Sequence, residues 1–356
     1  MAAISDRLRT FLAQRADGMN DGTVPGEQAI HAIAQEEWLG LGVPARLGGS
    51  GGPLLGAIES IAAVSEYCLT SGFLLWCHRM LIEYLAHSEN PWLHEQVLPR
   101  LLTADLHGAT GLSNAVKHLA GIEPLRVEAE LRAENVTING SLAWVSNLAP
   151  GGFAVAVAAR TGGDRWAVIA VPSSGKGVEA GKELPLFGLG SSLTAPIRFD
   201  RVSLPATWLI HEDGETFLRR IRARFVLLQI GLSLGLARRS LSEASSAGRD
   251  LTQGLAKRAD TIAATLRRFE EAVREYGCAE SLDPEELPHV FELRIALANL
   301  AIEAVWFELQ AKGGRAYLKG CGTGRRLREA AFLPIVSPTC VQLEEELNRH
   351  YMRAPV

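Results

Sequence analysis

The residues of this chain best suited to chemistry are hydroxyl and amide groups. Ser146 lies in the run Trp144-Val145-Ser146-Asn147, Ser337 and Thr339 lie in Ile335–Thr339 (IVSPT), and Thr110 and Ser113 lie in Gly108–Asn114 (GATGLSN). A fixed hydroxyl donates and accepts hydrogen bonds and can orient a polar ligand. It is not a base on its own: a serine without a partner base does not take a carbon-bound proton near pH 7. Gln310 with Gly313-Gly314 is a second kind of signal. Paired glycines let backbone N–H groups approach an anion, although such a pair also ends helices.

Other candidates are weaker. His78 is a lone histidine in a helical stretch, where a structural role is commoner than a pocket role, and His107 and His118 bracket the Gly108–Asn114 loop. The basic run Arg219–Arg224 (RRIRAR) reads first as a solvated helix start. Gly320–Gly324 (GCGTG) lacks the GxGxxG spacing of a dinucleotide fingerprint and follows a helix, which excludes that reading. The five cysteines, Cys68, Cys77, Cys278, Cys321 and Cys340, form no CxxC pair and no zinc-ligand spacing. No metal site is expected, and scattered free thiols point to a reducing, cytoplasmic setting.

These residues must be positioned by three successive kinds of structure. Residues 1 to about 105 keep a helical apolar period, with helices expected at Ala57–Tyr67, Phe73–Leu85 and Trp92–Leu102 around a Gly-Pro loop at Gly42–Pro53. The period then changes. Leu125–Leu131 alternates as a half-buried strand, and Asn139-Gly140 between Val136–Ile138 and Leu142–Val145 predicts a hairpin. Further strands are expected at Phe153–Ala159, Trp166–Val171 and Ile197–Phe199. From Thr216 the helical period returns, with long helices expected at Phe217–Ala247, Gly254–Tyr276 and Pro288–Gln310 and short ones at Arg325–Ala331 and Pro338–Arg349.

Segregated helices and strands argue against a doubly wound nucleotide fold. The expected architecture is α+β in three domains: an N-terminal helical domain (1–105), a middle antiparallel β-barrel domain (106–212) and a C-terminal helical bundle (213–356). The 47% hydrophobic and 21% charged composition is that of a soluble globular protein. A formal charge of −4 gives no reason to expect nucleic acid or an anionic membrane as partner. The longest apolar run, Phe225–Ala237, is broken by Gln229 and falls short of the ~20 residues a bilayer needs. Ser5-Asp6-Arg7 interrupts any early apolar run, so no secretory leader is expected.

Over nearly its whole length the chain resembles an acyl-CoA dehydrogenase-like flavoprotein. Gly42-Val43-Pro44 with Gly48-Gly49, Leu98–Leu101, Asn139–Asn147, Gly188–Pro205, Gln310–Gly314 and Arg328–Ala330 are similar to successive segments of that family. The resemblance implies a flavin cofactor, FAD with FMN or a transiently bound reduced flavin as alternatives. Ser146 would place a hydroxyl near the flavin N5 and Trp144 would pack on the ring. Thr110, Ser113 and Asn114 would face its pyrimidine edge, with Thr339 nearby. Gln310, Gly313 and Gly314 would touch the cofactor pyrophosphate, often across a subunit interface.

Departures from the family bear on the reaction. Its catalytic glutamate is replaced by Ser337, and its Arg-x-x-Phe-Gly grip on FAD is not reproduced by Arg249–Gly254. Three functions follow as expectations. The first is a flavin-dependent oxidoreductase acting on a C–C bond of an acyl thioester or related molecule with a displaced base such as Glu243 or Glu329. The second is a reduced-flavin monooxygenase that needs no carboxylate, with His78 as a further candidate in the pocket. The third is a non-catalytic flavin- or acyl-binding homologue. The implied partners are a small-molecule substrate, for example an acyl-CoA, and a flavin reductase or an electron-transfer flavoprotein. The apolar stretches Phe225–Ala237 and Ile295–Leu309 suggest a homodimer or homotetramer.

Overall fold

A computed structural model describes residues 4–246 and 253–353. Six helices come first: α1 (Asp6–Asp21), α2 (Gln28–Ala34), α3 (Leu55–Ser65), α4 (Leu69–Ala86), α5 (Pro91–Gln96) and α6 (Leu98–Leu102). Ser5 starts α1 by accepting the Leu8 N–H at 3.1 Å, and Leu8, Leu12, Ala16 and Met19 form its buried stripe. Helix α4 is buried on every side from Leu69 to Leu85, which makes it the central post of the molecule.

Strand β1 (His107–Thr110) and helix α7 (Ser113–Leu119) follow, and then β2 (Val127–Leu131), β3 (Asn135–Val145), β4 (Phe153–Gly162), β5 (Arg165–Pro172), β6 (Val178–Ala180), β7 (Ala195–Pro205) and β8 (Leu209–His211). The sheet order is β6-β7-β3-β2-β4-β5-β8, with β1 beside β4. The sheet is mixed rather than purely antiparallel, because β1 and β2 both run parallel to β4. Alternation along β4 separates two packing surfaces. Val155 and Val157 join the core within the sheet, while the small Ala154, Ala156 and Ala158 let the helices come close on the other face.

The hairpin expected at Asn139-Gly140 is not there: β3 runs unbroken through it and pairs with β2 and β7. The turn lies earlier, where the Arg132 N–H donates to Asn135 O at 2.9 Å. Asn139-Gly140 is instead a bulge, with a register shift against β7 between Ile138 and Gly140. Glycine is required at 140, where φ is +133° and a Cβ would stand 2.5 Å from Arg126 O.

The C-terminal part holds α8 (Gly214–Ser246), α9 (Gln253–Cys278), α10 (Leu287–Lys312), α11 (Gly322–Phe332) and α12 (Cys340–Arg353). Every residue from Phe225 to Ala237 is buried within this one chain, so that run supplies no subunit-pairing face, contrary to the sequence-based argument for oligomers. No described helix is long and apolar enough to cross a membrane.

Candidate functional site

A cavity of ≈ 450 Å³ opens where the sheet meets the helices, and its two sides differ in chemistry. The sheet side carries hydroxyls. Ser146 at the end of β3, Ser192 and Thr194 before β7, Thr110 at the end of β1 and Ser113 at the start of α7 all line it. Ser146 Oγ and Thr194 Oγ1 are 2.8 Å apart, Ser192 Oγ and Thr194 Oγ1 2.7 Å, and Thr110 Oγ1 is 2.8 Å from the buried Tyr84 hydroxyl. Asn147 fixes the backbone behind them. It sits at φ +66°, donates through Nδ2 to Gly108 O at 2.7 Å, and donates its backbone N–H to Ser192 O at 3.0 Å.

The helical side is aromatic. Phe73 stacks on Trp76 with centroids 5.7 Å apart, Phe332 meets Phe73 edge-on at 4.8 Å, and Phe225 meets Trp76 edge-on at 5.2 Å. Cys77 lines the cavity beside them, and burial pushes its thiol far above the ordinary range, so it stays protonated. Trp144, Phe187 and Ile335 are exposed among the lining residues, Trp144 by 60%.

Among the described residues that line the cavity there is no aspartate or glutamate. Its cations are answered from outside: Lys117 Nζ lies 3.7 Å from Glu123, and Arg328 donates to Asn20 at 2.7 Å and to Asp21 at 2.9 Å. Ser337 occupies the wall between α11 and α12, with its carbonyl accepting Gln229 Nε2–H at 2.9 Å. Thr339 lines the same wall and caps α12, its Oγ1 accepting the Gln342 N–H at 3.1 Å.

The structure thus brings Thr110, Ser113, Trp144, Ser146, Ser337 and Thr339 to one cavity, although they are scattered over some two-thirds of the sequence. Other candidates lie elsewhere. His78 is not a pocket residue: Gly108 N–H donates to its Nδ1 at 2.9 Å, and its Nε2 lies 2.8 Å from Leu101 O. That pair of partners fixes a neutral ring with Nε2 as donor, and burial depresses its pKa to about 3. Asn114 is a loop staple, accepting the Arg126 N–H at 3.0 Å and donating to Pro124 O at 3.0 Å. Gln310, Gly313 and Gly314 are exposed at the end of α10, away from the cavity, and Gln310 accepts from Arg258 at 2.6 Å.

Neither displaced-base candidate reaches the cavity. Glu329 is fully buried, accepting from Arg325 at 2.9 Å and from the Leu69 N–H at 3.2 Å. Burial alone would raise the Glu243 carboxyl, but the Lys312 hydrogen bond and the Arg326 and Arg239 charges hold it below the usual range. The Arg219–Arg224 run is a set of ion pairs, with Arg219 on Glu215, Arg222 on Glu346 and Arg224 on Glu83. Of the Arg249–Gly254 segment, residues 249–252 lie outside the described residues.

Sequence reasoning did not single out Ser192, Thr194, Tyr84 or the aromatic quartet. The alternating hydroxyls at 192 and 194, next to a strand, were a usable signal. The quartet has none, because aromatic residues at helical spacing read as ordinary core.

The profile described as "Acyl-CoA dehydrogenase, N-terminal domain" matches residues 2–105. The short-chain specific acyl-CoA dehydrogenase of Clostridium acetobutylicum is 25% identical over 333 residues, 87% of this chain and 86% of that protein. Butyryl-CoA dehydrogenase from Megasphaera elsdenii superposes with a TM-score of 0.79 at 19% identity, over 99% of this chain and 100% of the other. Residues 2–105 thus match the acyl-CoA dehydrogenase N-terminal domain family, and over most of its length the chain is similar to acyl-CoA dehydrogenases. Dibenzothiophene monooxygenase from Paenibacillus sp. shares the acyl-CoA dehydrogenase-like fold, with a TM-score of 0.77 at 19% identity over 98% of both chains. The fold therefore hosts proteins named for either reaction, and the residues of the cavity must discriminate between them.

Proposed function

We propose that this protein is a flavin-dependent oxidoreductase of the monooxygenase kind, using reduced flavin and oxygen on a small organic substrate. The observation that carries this reading is the Ser337 wall, a hydroxyl without a carboxylate beside it, with Glu243 and Glu329 both engaged elsewhere. Dehydrogenation of an acyl thioester requires a base to take the α-proton, and no cavity-lining side chain described here is suited to that task.

The residues fit a flavin. Thr110, Ser113, Ser146, Ser192 and Thr194 supply donors and acceptors on one side, matching the polar edge of an isoalloxazine, and the exposed Trp144 indole offers a flat apolar face. When bound, a flavin supplies the electron transfer that no side chain here can perform. Ser146 would orient it through a hydroxyl already fixed by Thr194, and the aromatic quartet would exclude water from the side where substrate rests. FAD, FMN and a transiently held reduced flavin are all compatible with these contacts. Gln310, Gly313 and Gly314 would serve a neighbouring subunit of a homodimer or homotetramer, and the electron source would be a flavin reductase.

The test supplies purified protein with reduced flavin, oxygen and an aromatic probe such as indole. A hydroxylated probe supports the proposal. Anaerobic bleaching of flavin-loaded protein by butyryl-CoA would instead establish a dehydrogenase, served by an electron-transfer flavoprotein. Binding neither oxidised nor reduced flavin would leave a non-catalytic homologue.

A further inference from the structure

Five arginines are buried among the described residues: Arg79, Arg222, Arg294, Arg325 and Arg326. Four of them meet a carboxylate, Arg79 with Glu83 at 3.3 Å, Arg222 with Glu346 at 2.5 Å, Arg325 with Glu329 at 2.9 Å and Arg326 with Glu308 at 2.5 Å. Arg294 is the exception. Fully buried in α10, it donates through Nε to Gln229 Oε1 at 2.7 Å and through NH2 to Leu333 O at 2.6 Å, and its NH1 lies 4.0 Å from Cys340 Sγ. No aspartate or glutamate among the described residues forms an ion pair with it.

Its location gives this a meaning. Leu333 and Ser337 bracket the loop that contributes Ile335, Val336 and Ser337 to the cavity. Arg294 grips one end directly and the other through Gln229, whose Nε2–H donates to Ser337 O at 2.9 Å. The Leu333 carbonyl at the end of α11 offsets part of the charge, as the negative end of a helix does. The remainder faces a loop without acids, and beyond it the amino-terminal end of α12 adds a further positive contribution. A buried cation lacking a counter-ion is costly, and its field is weakly screened.

We propose that Arg294 is an electrostatic positioning residue that makes the Ser337 wall favour negative charge, so that the ligand group resting there binds as an anion. The proposal builds on the reading that this cavity is the working site, but it concerns the wall and needs no flavin.

The test places a thiol on the wall by Ser337→Cys and measures its pKa from the pH dependence of iodoacetamide alkylation, followed peptide by peptide by mass spectrometry to separate it from the native cysteines. With Arg294 present, a thiol pKa below the ordinary value is expected. Arg294→Met and Arg294→Gln should each raise it by at least about one unit, a tenfold loss of thiolate at a given pH, and Arg294→Lys should restore it. A pKa at or above the ordinary thiol value in the Ser337→Cys protein overturns the proposal, even if the neutral variants fail to fold. So does a pKa that either neutral variant leaves unchanged. A merely structural role for Arg294 would alter stability without this charge-specific pattern.

Discussion

The sheet side and the helical side of the cavity hold their groups in opposite ways. On the sheet side, Ser146, Thr194 and Ser192 bond to one another, and Asn147 ties the strand end to β1 and to Ser192, so position is set by short-range hydrogen bonds. On the helical side, Phe73, Trp76, Phe225 and Phe332 set the shape by packing, and the Ser337 loop is held from behind by Arg294 and Gln229. The two sides are therefore held independently, and a change in the Ser337 loop leaves the polar contacts of the sheet side in place. Ser337 lies in a loop between two helices and takes no part in the hydroxyl contacts of the sheet side.

If the acids near the helical side are structural, removing one of them changes stability more than any other substitution considered. Glu329→Gln removes the buried carboxylate that pairs with Arg325, leaving it only the exposed Asp17, and should cost roughly 3–5 kcal/mol in urea denaturation, without changing turnover per folded molecule. A variant of normal stability that loses turnover would instead return Glu329 to the role of base. Phe225→Ala should cost about 3 kcal/mol, because it empties volume beside Trp76, and a near-neutral result would mean that packing does not shape this side.

Acid titration probes the junction between the two sides. The folded pKa of His78 is about 3, below its ordinary value of 6.5. The unfolded chain therefore binds the proton first, so the stabilisation is complete above pH 6.5 and is lost as pH falls toward the folded value. His107 is depressed in the same direction by burial and adds to the slope. Each proton contributes at most about 1.4 kcal/mol per pH unit, and His78→Gln, which can reproduce both hydrogen bonds, should remove one share. An unchanged slope in that variant would show that His78 is not the titrating group. The smallest effect belongs to the sheet side: Thr194→Val breaks the hydroxyl chain and should cost only about 1 kcal/mol by thermal unfolding. A loss as large as that of Phe225→Ala would mean that hydrogen bonds hold the sheet side as strongly as packing holds the helical side.

Much of the architecture was legible because it rests on local periodicity. The change from helical to alternating apolar spacing near residue 105 marked the sheet, whereas the Phe225–Ala237 run, expected to pair subunits, is buried on all sides within its own chain. Asn139-Gly140 misled because a glycine at positive φ serves a bulge as well as a turn, and only the pairing with β7 distinguishes them. Strand β1, His107–Thr110, has no alternation to detect and forms because β4 offers it a parallel edge. In the site, Trp144, Ser146 and Ser337 could be picked out because they sit at motif positions. Arg294, Tyr84 and the aromatic quartet act through contacts between distant segments, and their residue types alone do not distinguish them from core.

The proposed flavin seat lies against the hydroxyl side of the cavity, at Ser146. Anaerobic titration of wild-type and Ser146→Ala protein with FMN and FAD in both redox states decides it. Saturable binding of at least one flavin, weakened about tenfold by the substitution, is the expected result. Failure to bind any of the four species, or binding that is indifferent to Ser146, would contradict it.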